Sequence, residues 1–205
     1  MSDEAHFDLS GFVNKQNSRH WGEEQPSLIH ERPLHPRRVT VWCGIWSGGV
    51  VGPYFFEDAR GDAVTVNGDQ YREMINNFFS NQVTQLGLEN MWFQQDGATC
   101  HTARVTIETL KITFSGRLIS RNGDIAWPPR SPDLTAPDFF LWGYLKGRVY
   151  ANRPTNLQQL KQNIRNTVAE ITSEMCEKVM KNAMKRVRIC HAARGGHLSD
   201  IIFHV

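Results

Sequence analysis

Residues 39–46, VTVWCGIW, are apolar on both faces of an extended chain, which is typical of a central strand buried between two layers. A Ser-Gly-Gly turn at 47–49 follows, and residues 50–57, VVGPYFFE, return as a second strand, so the segment predicts a hairpin. Because a proline cannot donate to a strand ladder, Pro53 predicts an edge or a bulge in the second strand.

A helix and a short strand follow the hairpin. Asn67 and Gln70 match a capping box, and an apolar stripe at helical spacing continues from Tyr71. Residues 91–96, MWFQQD, then form a short apolar run that ends in polar residues. This run predicts a strand that carries Asp96 at its carboxyl end.

The rest of the chain adds a further strand and further helices. A short strand is predicted at 117–120, and helices fill residues 155–205, the first of them capped by Thr155 and Gln158. The order of strands, helix, strand, helix, strand and helices is typical of a layered α/β domain with a mixed sheet. The sequence therefore predicts a single domain over residues 1–205.

Composition and charge limit the classes of function that the chain can have. The chain is 40% apolar and 21% charged, no stretch is long and apolar enough for a membrane span, and its four cysteines lie far apart without a C-x-x-C pair. Residues 1–99 hold 7 Lys and Arg against 13 Asp and Glu, whereas residues 100–205 hold 16 against 8. A basic half suits a polyphosphate partner, and a solvated helix face explains it equally well.

The residues available for chemistry are mainly acidic. The sequence has no G-x-S-x-G elbow, no P-loop lysine motif and no G-x-G-x-x-G fingerprint. What remains is Asp3, Asp96 and either Asp133 or Asp138, from three distant segments. Like charges converge only where something neutralises them, and magnesium or manganese does this with oxygen ligands. Two such ions stabilise the attacking and leaving oxygens of a phosphodiester displacement.

Each acid also has a purely structural interpretation. Thr135 and Asp138 match a capping box, in which the carboxylate only bonds back to the start of a helix. Asp133 follows a proline and is typical of a turn. Asp3 lies close to the N-terminus, where chains fray. At this level the catalytic and structural interpretations stay open.

Three blocks of sequence together resemble a known family. SDEAHF (2–7), WFQQDGATCHTAR (92–104) and WPPRSPDLTAPDFFLWGYLKGRVY (127–150) resemble the catalytic domain of mariner-type DDE/D transposases of the Tc1/mariner superfamily, in the family's order and across nearly the whole chain. The resemblance implies an RNase H-like α/β fold, a five-stranded mixed sheet flanked by helices. Because Asp3 is the third residue, it also implies a first strand truncated at its N-terminus.

The resemblance assigns roles to individual residues. Asp3, Asp96 and Asp138 match the family's catalytic acids, which bind two ions of Mg²⁺ or Mn²⁺, whereas Asp133 belongs to the S-P-D-L signature. Asp96 and Asp138 have 41 residues between them, a longer spacing than most mariner transposases have. The residues expected beside the site are Glu4, Gly97 and His101. Apart from the resemblance, His101 is expected to satisfy the start of a helix near Asp96 rather than to form a dyad with the adjacent Cys100, because neighbouring side chains on a helix diverge.

The resemblance also implies partners. DNA is the expected partner, with a homodimer as the assembly, no membrane, no small-molecule cofactor, and the nucleus as the location. Residues 21–38, a proline-containing loop, match the position of a clamp-like insertion, and the family's N-terminal helix-turn-helix modules are expected to be absent from this chain. The predicted DNA contacts are Arg104, Arg130, Lys146, Arg148, Lys185, Arg186 and Arg188.

Three functions follow from these expectations. The first is metal-dependent DNA phosphodiester cleavage and strand transfer by a transposase-derived catalytic domain. The second is a catalytically inactive, transposon-derived module that binds DNA or associates with itself. The third is a stand-alone nuclease with this fold. Intact acids at all three motif positions favour an enzyme, and the truncated first strand favours the inactive module.

Overall fold

The computed structural model describes residues 1–11 and 37–195 of the protein. Its strands form a three-stranded antiparallel sheet in the order β1-β2-β3 and a two-stranded parallel sheet of β4 and β5. The strands are β1 (Ser2–Asp8), β2 (Arg38–Trp46), β3 (Gly49–Phe55), β4 (Phe93–Gln94) and β5 (Leu118–Ile119).

The helices cover both faces of the strands. They are α1 (Gly68–Met74), α2 (Ser80–Leu86), α3 (Thr99–Thr102), α4 (Arg104–Thr113), α5 (Trp142–Lys146), α6 (Leu157–Ala169) and α7 (Ser173–Ala192). A π-helical turn, Ile75–Phe79, joins α1 to α2, and another, Pro137–Leu141, leads into α5. No helix in the described ranges is long and apolar enough to cross a membrane.

The predicted hairpin is confirmed, including its irregularity. Trp42 pairs with Tyr54 and Gly44 pairs with Val51, so the register shifts by one residue between these two pairs. The shift places a β-bulge at Pro53, where the missing N–H would otherwise interrupt the ladder.

Strand β2 separates two apolar cores. Val39, Val41, Cys43 and Ile45 face one core, which helices α5, α6 and α7 complete. Trp42 faces the other, which α1, α2 and α4 complete. Because successive side chains of a strand point to opposite faces, an apolar residue at nearly every position is what a strand with two covered faces requires.

The cap predicted at Asn67 is confirmed, whereas the cap of α6 lies one residue further along than predicted. The Asn67 side chain accepts from the backbone N–H of Gln70, and the Gln70 side chain accepts from that of Asn67. At α6 the cap is Asn156, whose side chain accepts from Gln159. Thr155 lies just before that cap, and its N–H donates to the Gln159 side chain, so the capping pair is shifted by one position.

The expected five-stranded sheet is present as three and two strands. Strands β4 and β5 pair over only two residues each, and β1 is joined to β4 by a hydrogen bond of 3.2 Å from Ser2 Oγ to the Gln94 carbonyl. The first strand was expected to lack its leading part. The seven residues of β1 all pair with β2, from Ser2 opposite Gly44 to Asp8 opposite Arg38. The predicted clamp-like loop lies outside the described residues, apart from its last two.

Candidate active site

Three acidic side chains from distant segments lie near one another. Asp3 is the second residue of β1, Asp96 follows β4 by two residues, and Asp138 lies in the π-helical turn before α5. Burial is the first cause that raises the pKa of Asp3 well above its usual range, and the charges of Asp138 and Asp96 add to it. The charges of the three acids that the motifs selected therefore act on one another.

Asp3 faces the helical layer that contains α5. The indole Nε1 of Trp142 donates a hydrogen bond of 2.8 Å to Asp3 Oδ2. The indole is itself held edge-on against Phe7, with ring centroids 6.2 Å apart and an interplanar angle of 75°. This hydrogen bond favours the charged carboxylate and so opposes the effects of burial and of Asp138 on the pKa of Asp3.

Asp138 does not form the capping box that the sequence suggests. The π-helical turn begins after Ala136 without a side-chain cap, and the Thr135 hydroxyl donates to the Ser131 carbonyl instead. Desolvation and the charge of Asp96 raise the pKa of Asp138 to about 6, while Lys146 lowers it. The capping interpretation of Asp138 is therefore wrong, because the turn starts after Ala136 and uses backbone bonds to Thr135.

Asp96 is held by two donors on a single oxygen. Its Oδ1 accepts from the backbone N–H of Ala98 at 2.9 Å and lies 2.6 Å from Nδ1 of His101. The other ring nitrogen of His101, Nε2, lies 3.1 Å from both carboxylate oxygens of Glu4. The histidine thus bridges a carboxylate that follows β4 to one on β1.

The electrostatics of this bridge favour a charged histidine between charged acids. Burial alone would lower the pKa of His101, but Tyr71, Glu4 and Asp96 raise it well above its usual range. Burial alone would raise the pKa of Asp96, but the bonds from His101 and Ala98 lower it. With both ring nitrogens protonated, the imidazolium donates to both carboxylates.

The role expected of His101 is therefore corrected. A histidine was expected to satisfy the start of a helix near Asp96, but the N–H of Ala98 is satisfied by Asp96 itself. An imidazolium carries donors only, whereas a helix start needs an acceptor. Gly97 lies beside this bond, and a Cβ added there would meet no atom within 4 Å, so no close contact requires a glycine.

The three acids carry the type of donor atom that a divalent metal ion binds, but they do not form a complete set of ligands around one ion. Among residues 1–11 and 37–195, no three His, Cys, Asp or Glu side chains are arranged to hold one ion. Their donors are all carboxylate oxygens, the type that Mg²⁺ and Mn²⁺ prefer. Repulsion between the acids raises the pKa of Asp3 and Asp138 beyond the effect of burial, and a divalent cation relieves that repulsion.

Comparisons with known proteins give matches among solved structures. No family model matches the chain, and no curated protein matches it. A pre-cleavage Mos1 transpososome has a TM-score of 0.72 and 18% identity over 96% of this chain and 56% of that chain. The catalytic domain of Mos1 mariner transposase has a TM-score of 0.63 and 20% identity over 83% of this chain and 79% of that chain.

The fold is that of the Mos1 mariner transposase catalytic domain. A Mos1 paired end complex with Mn is similar as well, with a TM-score of 0.70 and 19% identity over 96% of this chain and 55% of that chain. The chain thus spans little more than half of the Mos1 chains in the two complexes. At such identities the likeness to Mos1 establishes the fold, and the DNA and the metal belong to the Mos1 structures.

Within the Mos1-like fold, the predicted DNA-contacting cations do not form one patch. Arg104 lies on α4, across the strands from α7, which carries Lys185 and Arg188, and all three are exposed. Arg130 and Arg148 are exposed on either side of α5; the Arg148 guanidinium lies 4.0 Å from the Tyr144 ring centroid. A DNA duplex along one face would therefore meet only part of this set.

Lys146 lies closest to the acids. Its pKa is lowered by burial and raised by the charges of Asp8, Asp138 and Asp3. Its Nζ lies 5.7 Å from the centroid of the Phe7 ring. The lysine therefore offsets part of the negative charge of the site.

Arg186 is not a surface contact, which corrects its assignment to DNA binding. Only 7% of the residue is exposed. Its Nη1 donates to the Asp133 carbonyl at 3.1 Å, and its guanidinium lies 4.3 Å from the centroid of the Phe139 ring. Arg186 therefore links α7 to the segment on either side of Asp138. Its side chain is buried because the Asp133 carbonyl and the Phe139 ring both lie inside the protein.

The link between Asp3 and Trp142 was not predicted from the sequence. Residues four apart on a helix share a face, so Trp142 points to the same side as Asp138. That spacing was the available signal in the sequence. The sequence alone does not show that Asp3 lies opposite the indole and accepts a hydrogen bond from it.

Proposed function

We propose that this chain is a mariner-type DDE/D transposase catalytic domain that cleaves DNA phosphodiester bonds and transfers the freed strand. The observation that supports the proposal is the mutual electrostatic effect of Asp3, Asp96 and Asp138 within a fold shared with the Mos1 catalytic domain. The same fold underlies a further proposal, that β1 to β5 act as one RNase H-like sheet joined at the contact between Ser2 and Gln94.

Asp3, Asp96 and Asp138 would hold Mg²⁺ or Mn²⁺, and structures of Mos1 with Mn and with Mg support this choice. Two bound ions would supply stabilisation of the attacking and leaving oxygens of the displacement. The protein contributes the placement of the ligands. Trp142 orients Asp3 through Oδ2, and the donors on Oδ1 orient Asp96.

DNA is the proposed substrate, and a homodimer in the nucleus is the proposed setting. Mos1 complexes with transposon ends support DNA binding. Lys146 lies beside the acids, and the exposed Arg130 and Arg148 lie close to it in the sequence, so these three are the cations proposed to contact phosphates near the reacting bond.

A plasmid-nicking assay tests the catalytic proposal. Supercoiled plasmid is incubated with the full chain and Mn²⁺ or Mg²⁺, beside Asp96→Asn, Asp138→Asn and Asp133→Asn. We expect nicking by the parent chain and by Asp133→Asn, an exposed acid of the same segment, and none by the other two. Equal nicking by all four proteins, or nicking by none, would contradict the proposal.

A catalytically inactive DNA-binding module is the second candidate. The observation that favours it is that the described residues contain no set of three ligands arranged around an ion. Such a module would bind DNA with the same affinity with and without Mn²⁺, and with the same affinity after Asp96→Asn. A stand-alone nuclease would nick DNA but would not join the freed 3′ end to a target.

A further inference from the structure

We propose that Glu4 and His101 form a positioning pair that sets which oxygen of Asp96 faces a metal ion. The inference rests on the proposed function, because it concerns how a metal ligand of that site is oriented. His101 does not touch the substrate in this scheme; it acts through Asp96.

The histidine has little freedom to turn. Only 1% of the residue is exposed, and its ring packs on Tyr71 with centroids 4.4 Å apart. Its main-chain carbonyl accepts from Gln95 Nε2 at 2.9 Å, and Gln95 Oε1 accepts from the Tyr71 hydroxyl at 2.9 Å. The same Gln95 nitrogen lies 3.2 Å from Ser120 Oγ, so the network extends past the end of β5. An imidazole fixed at its ring face and at its backbone directs Nδ1 in one direction.

That direction determines the orientation of the Asp96 carboxylate. Oδ1 receives both the His101 ring and the Ala98 N–H, at 2.6 Å and 2.9 Å. Within the described residues, Oδ2 accepts no hydrogen bond and is the oxygen left for a ligand role. Without His101, the carboxylate would keep one donor and could rotate about its Cβ–Cγ bond.

Glu4 completes the pair from a strand that also carries a ligand. Successive side chains of β1 point to opposite faces, so Asp3 reaches Trp142 on one face while Glu4 reaches His101 on the other. Strand β1 therefore places Asp3 directly and Asp96 through the histidine. This arrangement couples two acids that have 92 residues between them in the sequence.

The same geometry separates the role of Glu4 from that of a metal ligand. Both of its carboxylate oxygens lie 3.1 Å from Nε2 of His101, and 15% of its side chain is exposed. The effect of Glu4 on the orientation of Asp96 therefore passes through the histidine, whereas its charge also acts on Asp3. In other proteins, groups that orient metal ligands typically change metal affinity about 10-fold to 100-fold when removed.

Mn²⁺ binding to the full chain, followed by the paramagnetic resonance signal of the free ion, tests the pair. We expect Glu4→Ala to weaken binding about 10-fold and His101→Ala to weaken it about 10-fold to 100-fold. The double variant should bind like His101→Ala alone, because the second change removes a partner that no longer acts. Glu4→Gln, which keeps an acceptor for Nε2, should bind more tightly than Glu4→Ala.

Ser120→Ala provides the matched control. It removes the Oγ that lies 3.2 Å from Gln95 Nε2 in the same network and leaves Glu4, His101 and Tyr71 in place, so it should lower the melting temperature and leave Mn²⁺ affinity unchanged. Equal Mn²⁺ affinity of Glu4→Ala and the parent, additive effects in the double variant, or weakened binding by Ser120→Ala in proportion to its lost stability would each overturn the positioning pair.

The design also separates this inference from the proposed function. If the parent chain binds Mn²⁺ and Asp96→Asn does not, the proposed metal site is supported, and an unaffected Glu4→Ala then defeats the positioning pair alone. If the parent chain fails to bind Mn²⁺, or Asp96→Asn binds it equally well, both proposals are overturned.

Discussion

Trp142 Nε1 donates a hydrogen bond of 2.8 Å to Asp3 Oδ2, which joins the first strand to a helix 139 residues later in the chain. The two residues lie in segments that resemble separate transposase motifs, and the bond brings those segments into contact. A single indole N–H thus holds one carboxylate of the site and fixes the start of α5 against β1.

Replacing Trp142 with Phe tests this bond. The ring contact with Phe7 is kept, but Asp3 loses its donor, so we expect the free energy of unfolding to fall by about 1–3 kcal/mol. The pKa of Asp3 should rise further, because the lost bond favours the charged form. Urea denaturation and carboxyl NMR measure these two changes.

Trp92→Phe is the matched control for this prediction. Trp92 is 50% exposed and lies before β4, so its replacement should leave both quantities nearly unchanged. Identical unfolding curves and an identical titration of Asp3 in the parent and Trp142→Phe would contradict the role assigned to the bond.

The raised pKa of Asp138 predicts a pH dependence of stability without metal. Desolvation and the charge of Asp96 raise this pKa to about 6 from its ordinary value of 3.8, so the folded state holds the proton more tightly than the unfolded state. The metal-free protein should therefore lose stability as the pH rises from about 4 through about 6. Asp138→Asn should be more stable than the parent at pH 7 and equally stable below pH 4, as thermal melts across this range would show.

Asp124 provides a control of the opposite sign. Its pKa is lowered, first by the backbone N–H of Leu118 and also by Lys111, so its contribution is present at neutral pH and is lost as the pH falls. Asp124→Asn should therefore destabilise the protein at pH 7. Destabilisation at pH 7 by Asp138→Asn as well would refute the electrostatic account of Asp138.

Arg186 and Arg188 should separate stability from DNA binding, although they lie two residues apart on α7. Arg186 contacts Asp133 and Phe139 inside the protein, so Arg186→Ala should lower the free energy of unfolding by about 1–3 kcal/mol. Exposed Arg188 should affect stability by less than about 0.5 kcal/mol when changed to Ala.

Binding to labelled DNA completes this comparison. If Arg188 contacts a phosphate, Arg188→Ala should weaken binding to all sequences and reduce the salt slope by about 1. Arg186→Ala should bind DNA like the parent at temperatures where it is folded. The reverse pattern, a stable Arg186→Ala with weakened DNA binding, would restore Arg186 as a surface contact.

Local signals in the sequence predicted the elements whose stability is local. The hairpin of β2 and β3, its bulge at Pro53 and the capping box at Asn67 depend on residues within a few positions of one another. The motif acids were selected from the sequence because each lies in a short segment with a distinctive pattern. Their role as metal ligands stays a prediction.

Features that depend on distant partners could not be predicted in this way. Thr135 and Asp138 have the spacing of a capping box, but the turn there is π-helical and begins after Ala136. Arg186 belongs to a basic helix, but Asp133 and Phe139 draw its side chain inward. In both cases, tertiary contacts outweigh a local pattern that taken alone has another interpretation.

The most direct test of the central claim is a crystal structure with Mn²⁺, with the ion located by its anomalous scattering. We predict an anomalous peak for a Mn²⁺ ion that carboxylate oxygens of Asp3, Asp96 and Asp138 bind, with Oδ2 of Asp96 facing the ion. We predict no such peak in Asp96→Asn. No peak at these acids, or a Mn²⁺ ion bound only elsewhere on the protein, would contradict the account.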